Sequence, residues 1–192
     1  MSNPTRLAAT FVLALLALAA PARAESDPAA PRRDLHLDLE IDPTAYLLSG
    51  WSVHVGLGWE QLRLDLGTYA MDVPEALHGN DGWDLSFDGA GAKLQWFPFA
   101  GATQRGLFVD ASVGVSRQRV TWRASGASRR DTLVGVGASA GWRFLLPYGL
   151  YATPWAGLSV DLGGDDPMVE GQRFDRPAVT PFAAVHVGYR FR

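Results

Sequence analysis

Histidine and acidic side chains alternate with apolar residues near both ends of the chain, in a pattern that could bind a metal ion. His36, Asp38 and Glu40 occupy every second position of one segment, and His54 and His186 occur in two others. Imidazole and carboxylate groups together suit a divalent transition metal. The alternative is a hydrogen-bonded polar cluster, because buried polar groups need partners. We favour the polar cluster, and expect neither a bound metal nor a cofactor.

The sequence offers little for catalysis. It contains no cysteine, which excludes thiol nucleophiles, Cys-ligated metals and disulfides. It also has no phosphate loop, HExxH motif, EF-hand loop or dinucleotide fingerprint. A lipid hydrolase or acyltransferase would need a serine paired with a histidine. We find no such pair among the residues predicted to face lipid, and therefore expect a protein that is not an enzyme.

Charge and composition narrow the class further. The 192 residues carry a formal net charge of -3, with 17 basic and 20 acidic side chains. A nucleic-acid-binding protein usually has a strongly basic face, so we expect no nucleic-acid partner. The hydrophobic fraction of 47% lies far from the values typical of disordered chains.

The N-terminus has the features of a signal peptide. Arg6 precedes an apolar run that ends at Ala20, and Ala22-Arg23-Ala24 forms an A-x-A cleavage pattern. The run is shorter than the roughly 20 apolar residues that a membrane-spanning helix needs. The next residues combine Ala and Pro without periodicity. The sequence thus predicts three parts: a signal peptide (1–24), a flexible leader (25–33) and a barrel domain (34–192).

After the leader, apolar residues alternate with polar or small ones, which places the two sets on opposite faces of a strand. Eight segments alternate in this way: residues 35–41, 51–59, 62–67, 90–96, 107–115, 134–142, 151–160 and 185–191. Three connections between them are short: 60–61, 97–104 and 145–149. The other four are longer and more polar: 42–50, 72–84, 117–131 and 162–176. Short turns at one end and long loops at the other are typical of outer-membrane barrels.

The two faces predict the surroundings of the barrel. One face is almost purely Leu, Val, Ala, Trp and Phe, whereas the other mixes Gly, Ser, Asp, Glu, Arg and His. Eight strands enclose a lumen just wide enough to be filled by side chains. A polar filling and an apolar exterior imply lipid outside. The predicted fold is all-β: a closed, antiparallel, eight-stranded, up-and-down transmembrane β-barrel. Pro154 and Pro181 would each remove a ladder hydrogen bond, so we expect bulges or a strand start there.

Aromatic residues occur on the apolar face near the short-turn end of four strands. Trp and Tyr rings favour the boundary between lipid and water, so we predict an interfacial girdle. Its members are Trp59, Trp96, Trp142, Phe144, Tyr189 and Phe191.

The chain resembles the small eight-stranded outer-membrane barrels of the OmpA/OmpX type. The stretch from Val185 to Phe191 resembles the C-terminal signal that the barrel-assembly machinery reads in that group, although Arg192 follows the final aromatic residue. The resemblance implies a place in the outer membrane of a Gram-negative cell envelope. It also implies contact with outer-membrane lipid and with the assembly machinery.

Charged residues on the polar face predict an ion-paired plug. From the alternation and the estimated height along each strand, Lys93 is expected between Asp65 and Asp110. Three further cations are expected near the short-turn end, opposite Asp38 and Glu40: Arg63, Arg143 and Arg190. Paired charges satisfy one another in a narrow lumen, so we expect a closed barrel. We interpret the chain as a non-enzymatic barrel with a structural role or a loop-mediated surface interaction, its loop ligand unassigned. The alternatives are a lipid-modifying enzyme, a narrow channel and a soluble periplasmic ligand-binding barrel.

Overall fold

The computed structural model describes residues 35–191, so the predicted signal peptide and leader lie outside the described residues. The eight long strands are β1 (His36–Ile41), β2 (Trp51–Trp59), β3 (Leu62–Val73), β4 (Trp83–Trp96), β5 (Gly106–Trp122), β6 (Ser128–Leu145), β7 (Leu150–Asp161) and β10 (Thr180–Arg190). The short elements are helices α1 (Pro43–Leu47) and α2 (Glu75–His78), strands β8 (Met168–Val169) and β9 (Gln172–Arg173), and 3-10 turns at Gly101–Thr103 and Pro147–Gly149. None of the helices in residues 35–191 is long and apolar enough to cross a membrane.

The long strands form one closed antiparallel barrel in the order β1-β10-β7-β6-β5-β4-β3-β2. Leu39 of β1 pairs with Tyr189 of β10 on one side and with Val55 of β2 on the other, which closes the sheet. A closed sheet leaves no strand with an unpaired edge, as a lipid environment requires. This topology confirms the predicted eight-stranded, up-and-down barrel.

The alternation in sequence decides which residues face the lumen. In β2 every second residue is exposed, from Trp51 to Trp59, and the residues between them are buried. In β1 the leucines point outward while Asp38 and Glu40 are buried. The barrel therefore has a polar interior and an apolar exterior, as the pattern predicts.

Two predicted loops are partly strand. The predicted connection 117–131 is reduced to residues 123–127, because β5 and β6 continue as a paired hairpin up to Thr121 opposite Ser128. β3 and β4 likewise extend into the predicted connection 72–84, leaving residues 74–82 between them. The pattern reverses there, because the outward side chains are polar, as at Arg117 and Arg119, whereas the inward Val120 and Trp83 belong to an apolar core. The backbone ladder nevertheless continues, because strand pairing does not depend on which face is apolar.

The two prolines behave differently. Pro181 is the second residue of β10, which confirms a strand start. Pro154 lies inside β7, where the pairing with β6 stops at Trp155 and resumes at Ala152 in the same register. The expected bulge is therefore wrong at Pro154: the missing N–H interrupts one ladder locally, while the ladder to β10 continues through Val185.

The long-loop end has a small apolar core of its own. Trp83 and Val120 pack there with Val169 and Phe174, which reach them from the 162–179 connection. That connection is tied down by Asp166, which accepts from the backbone N–H of Arg176 at 2.9 Å and from the Arg173 guanidinium. These hydrogen bonds hold the pKa of the Asp166 carboxyl below its usual value. The long-loop end of the barrel is thus packed structure rather than open loops.

Candidate functional site

Arg63 is the centre of a charged cluster in the short-turn half of the lumen. Its side chain is completely buried and reaches three carboxylates. Nε lies 2.9 Å from Asp38, Nη1 lies 2.9 Å from Asp65, and Nη2 lies 3.2 Å from Glu40. Gly56, across the ladder from Asp65, leaves the space for this guanidinium, because a Cβ at Gly56 would come within 2.0 Å of Nη2.

Arg143 completes the cluster from the opposite side of the barrel. Its Nη2 lies 3.0 Å from Glu40, and its Nη1 lies 3.6 Å from Asp38. The guanidinium carbon lies 4.5 Å from the ring centroid of Tyr151 and 5.0 Å from that of Phe97. Rings and carboxylates together replace water around a fully buried cation, which makes its burial tolerable.

The 97–105 connection closes the short-turn end beneath these charges. Arg190 bonds Asp38 at 3.1 Å and donates to the carbonyl of Thr103 at 2.8 Å. Gln104 is fully buried and donates to the carbonyls of Glu60 and Leu62 at 3.1 and 2.7 Å. We define the plug as three carboxylates and three guanidinium groups: those of Asp38, Glu40 and Asp65, and those of Arg63, Arg143 and Arg190. Its formal charges balance, and side chains fill the lumen at this level.

The predicted position of Lys93 needs correction. The register puts Lys93 opposite Asp65 on one side but opposite Ser112 on the other, and Asp110 pairs with Gln95 instead. Within residues 35–191, Lys93 forms no ion pair. Its ammonium lies 3.7 Å from the ring centroid of Trp155, above the plug. The alternation along β4 predicted that Lys93 points inward. It could not predict that the four-carbon side chain of Lys93 extends across the lumen.

Asp110 accepts a hydrogen bond from Ser139, which the sequence did not predict as its partner. Ser139 donates to it at 2.5 Å from the adjacent strand β6. Asp110 therefore lies beside the plug with its own hydrogen-bond partner, rather than as one half of a pair around Lys93.

The three predicted histidines do not form one group. His54 and His186 are adjacent, with ring centroids 4.7 Å apart, whereas His36 bonds Gln104 at 3.0 Å near the short-turn end. His186 Nδ1 lies 3.0 Å from Glu40. Among residues 35–191, no group of three histidines and carboxylates has the geometry to hold a metal ion. The arrangement is a hydrogen-bonded extension of the plug.

Ser52 forms a hydrogen bond with His54, a contact that the sequence did not predict. Ser52 Oγ lies 2.7 Å from His54 Nε2, and His54 Nδ1 lies 2.8 Å from Asp65. The order of atoms is that of a Ser-His-Asp relay. The signal was present in sequence, because Ser52 and His54 share an inward face two residues apart, and Gly67 leaves room for the imidazole.

A cavity of about 310 Å³ lies above the plug, toward the long loops. Its floor includes the Ser52–His54–Asp65 series together with Lys93 and His186. Its walls carry four aromatic side chains, which come from β3, β4, β7 and β10: Tyr69, Phe87, Trp155 and Phe182. Ala45 of α1 is fully buried and lines the opposite end of the cavity. The lumen thus has two levels: a filled charged plug and an open aromatic cavity.

The aromatic residues predicted for the girdle all lie on the outward face. Trp59 and Trp96 both pair with Leu62, so they occupy one level of the barrel. Tyr189 and Phe191 contact each other edge to face, with centroids 5.0 Å apart. Trp142 and Phe144 form a second outward pair. These six residues lie near the short-turn end of the barrel, whereas Trp51 is an outward aromatic residue at the other end of β2.

Searches for similar proteins give structural matches only. The N-terminal β-barrel domain of Pseudomonas aeruginosa OprF matches with 17% identity and a TM-score of 0.43, covering 83% of this chain and 100% of that chain. Neisserial surface protein A matches with 14% identity and a TM-score of 0.43, covering 81% and 94%. A major outer membrane protein from Thermus thermophilus matches with 12% identity and a TM-score of 0.47, covering 82% and 100%. No protein-family model and no curated protein sequence matches the chain.

Proposed function

We propose that the chain is an integral barrel of the outer membrane, exported by the signal peptide predicted for residues 1–24. One observation carries this proposal: the barrel is inverted relative to a soluble one, with charges inside and apolar side chains outside. Arg63 is fully buried, whereas Val55 and Leu66 on neighbouring strands are about half exposed, at 44% and 54%. In water that exterior would be a large apolar patch. In lipid it is the expected surface of a barrel.

The barrel is a closed structural element in this proposal, and the loops carry any interaction with a partner. The plug supports a non-conducting lumen, because its paired charges fill the short-turn half. Planar bilayer recordings of the purified protein are the test. We expect no steady conductance from the wild-type protein. Large and stable single-channel currents would support the narrow-channel alternative and contradict a closed plug.

The orientation follows from loop length, with the short turns in the periplasm. Trypsin added to intact cells is then expected to cut after Arg123, in the five-residue turn between β5 and β6, and to spare Arg105 in a short-turn connection. Arg129 and Arg130 should resist cleavage, because both lie in β6 and pair with Val120 and Arg119. Peptide mapping identifies the sites, and Arg123→Gln removes the expected cut. Cleavage at Arg105 in intact cells would reverse the orientation.

The C-terminal strand is the proposed contact with the barrel-assembly machinery. Phe191→Asp should sharply reduce the amount of folded protein in the membrane, because the carboxylate would replace an outward ring in the girdle and change the assembly signal. Charges on the lipid face cost up to about 2–4 kcal/mol at the midplane and less near the interface. Heat-modifiable gel mobility measures the folded fraction. Phe99→Asp, at a strongly exposed site in the 97–105 connection, is the matched control. Equal yields of folded protein from the two variants would show that Phe191 has no special role in assembly.

A second candidate function is acyl-ester hydrolysis, which the Ser52–His54–Asp65 hydrogen bonds favour. Ser52 Oγ would bond the acyl carbon while its proton passes to His54 and on to the leaving alcohol. Water would then hydrolyse the acyl-serine. Against this candidate, backbone N–H groups of barrel strands are engaged in the ladder, which leaves no backbone oxyanion hole beside Ser52. We therefore place the non-enzymatic role first.

A fluorophosphonate probe separates the two candidates. A hydrolase should be labelled at Ser52, lose the label in Ser52→Ala, and keep it in Ser112→Ala, since Ser112 also lines the cavity. Absence of labelling in the folded wild-type protein would remove the hydrolase and leave the non-enzymatic role.

A further inference from the structure

The cavity above the plug has the volume of a small-ligand site. Its 310 Å³ correspond to the bulk volume of about ten water molecules, at the lower end of the range typical of ligand pockets. An organic molecule of roughly ten to twelve heavy atoms would fill it on the same scale. The plug beneath it and the cavity use different side chains, apart from Asp65.

Two aromatic pairs face each other across this cavity. Tyr69 and Phe87 form an edge-to-face pair on β3 and β4, with centroids 5.8 Å apart. Trp155 and Phe182 form another on β7 and β10, with centroids 5.0 Å apart. In the closed strand order these two strand pairs lie on opposite sides of the barrel. A flat aromatic body between them would gain ring contacts from both sides.

The same cavity contains a cation that the plug does not need. The plug is balanced without Lys93, and within the described chain that residue has the Trp155 ring as its neighbour and no ion pair. The carboxylates nearby have other hydrogen-bond partners: Asp65 has Arg63 and His54, and Asp110, which interacts with Lys93 only through its charge, has Ser139. Near the mouth, Asp161 accepts from Gln118 at 3.3 Å.

Trp155 contributes its ring face to this part of the cavity. Lys93 Nζ lies 3.7 Å from the centroid of the indole ring, so the ring holds the ammonium from one side. The indole Nε1 is enclosed by protein and has no hydrogen-bond acceptor within residues 35–191, so the ammonium is the group that an anionic ligand would meet.

We propose that the cavity binds a small aryl carboxylate, with its carboxylate on the Lys93 ammonium and its ring between the two aromatic pairs. A neutral arene would form no direct ion pair with the ammonium, and an arylalkyl ammonium would face a like charge. Charged hydrogen bonds are roughly twice as strong as neutral ones, so charge dominates the selectivity. This site is independent of whether the plug conducts.

The test uses the full barrel in phosphatidylcholine nanodiscs and isothermal titration calorimetry, with empty nanodiscs as background. The probe is 3-phenylpropanoate, and its matched controls are 3-phenylpropanamide and 3-phenylpropylamine. We expect saturable, one-to-one binding of the carboxylate, and binding of the amide and the amine that is at least about tenfold weaker. Absence of saturable carboxylate binding, or equal binding of all three compounds, overturns the proposal.

Variants assign the binding to the cavity. Lys93→Met keeps the length of the side chain and removes its charge, so affinity for the carboxylate should fall about tenfold or more while affinity for the amide changes little. Leu94→Met, on the neighbouring outward residue, should leave both unchanged. Heat-modifiable gel mobility establishes folding of each variant. If Lys93→Met does not fold, Lys93→Arg retains the charge and should keep the preference for the carboxylate over the amide. Undiminished carboxylate binding by folded Lys93→Met, or loss of the preference in folded Lys93→Arg, overturns the proposal.

Discussion

Replacing Arg63 by methionine is expected to lower the free energy of unfolding of the barrel by about 3–5 kcal/mol. The substitution preserves most of the side-chain volume, so a cavity is not the main cause. It leaves Asp38, Glu40 and Asp65 buried around an apolar side chain, without the guanidinium that forms ion pairs with all three. An uncompensated buried charge is more costly than the original ion pair was stabilising. Urea unfolding in lipid vesicles, followed by tryptophan fluorescence, measures the loss.

Arg117→Met is the matched control for this experiment. Arg117 pairs with Asp88 on the exposed part of the β4–β5 hairpin. Exposed pairs contribute at most about 1 kcal/mol, because water screens both partners. A loss at Arg63 no larger than that at Arg117 would show that the plug is hydrated and would contradict a filled lumen.

A charge on the outward face should be nearly as harmful as a charge removed from the lumen. Val55 lies midway along β2, between the outward residues Trp51 and Trp59. Val55→Arg is therefore expected to place a guanidinium near the bilayer midplane and to destabilise the folded barrel by about 2–4 kcal/mol. The same unfolding assay in lipid vesicles measures this loss in the free energy of unfolding.

The control substitution is Leu77→Arg, in the short helix α2 of the 74–82 connection. Leu77 is 71% exposed, and its connection lies beyond the strands, so arginine there should change stability little. Comparable stability of Val55→Arg and Leu77→Arg would mean that β2 faces water rather than lipid, and the soluble-barrel alternative would replace the membrane one.

Period-two alternation is a local property, and it was sufficient to predict the strand faces. It correctly placed Asp38, Arg63 and Arg143 inside, and Trp59 and Tyr189 outside. Side chains alternate strictly between the two faces of a strand, so the face of one residue fixes the face of all the others. It could not predict how far the strands extend. Around Arg117 and Arg130 the hairpin continues with polar side chains outside and apolar ones inside, so the apolar-outside pattern ends before the hydrogen-bonded ladder does.

Contacts across the lumen depend on side-chain length and on the neighbours of each strand. Lys93 was expected between Asp65 and Asp110 because the three shared a face and an estimated height. The register instead places Asp110 beside Gln95, and the long ammonium side chain reaches Trp155 on β7. The cavity was also missed, since it arises where β3, β4, β7 and β10 carry rings opposite one another, which requires the closed strand order.

The most direct test of the central proposal is membrane fractionation followed by alkaline carbonate extraction of the outer-membrane pellet. An integral barrel with an apolar exterior should remain in the pellet after extraction. It should leave only with detergent, and should then migrate on gels as a compact species until it is heated. Release of the folded chain into the soluble or carbonate fraction, with no change in gel mobility on heating, would contradict an outer-membrane barrel.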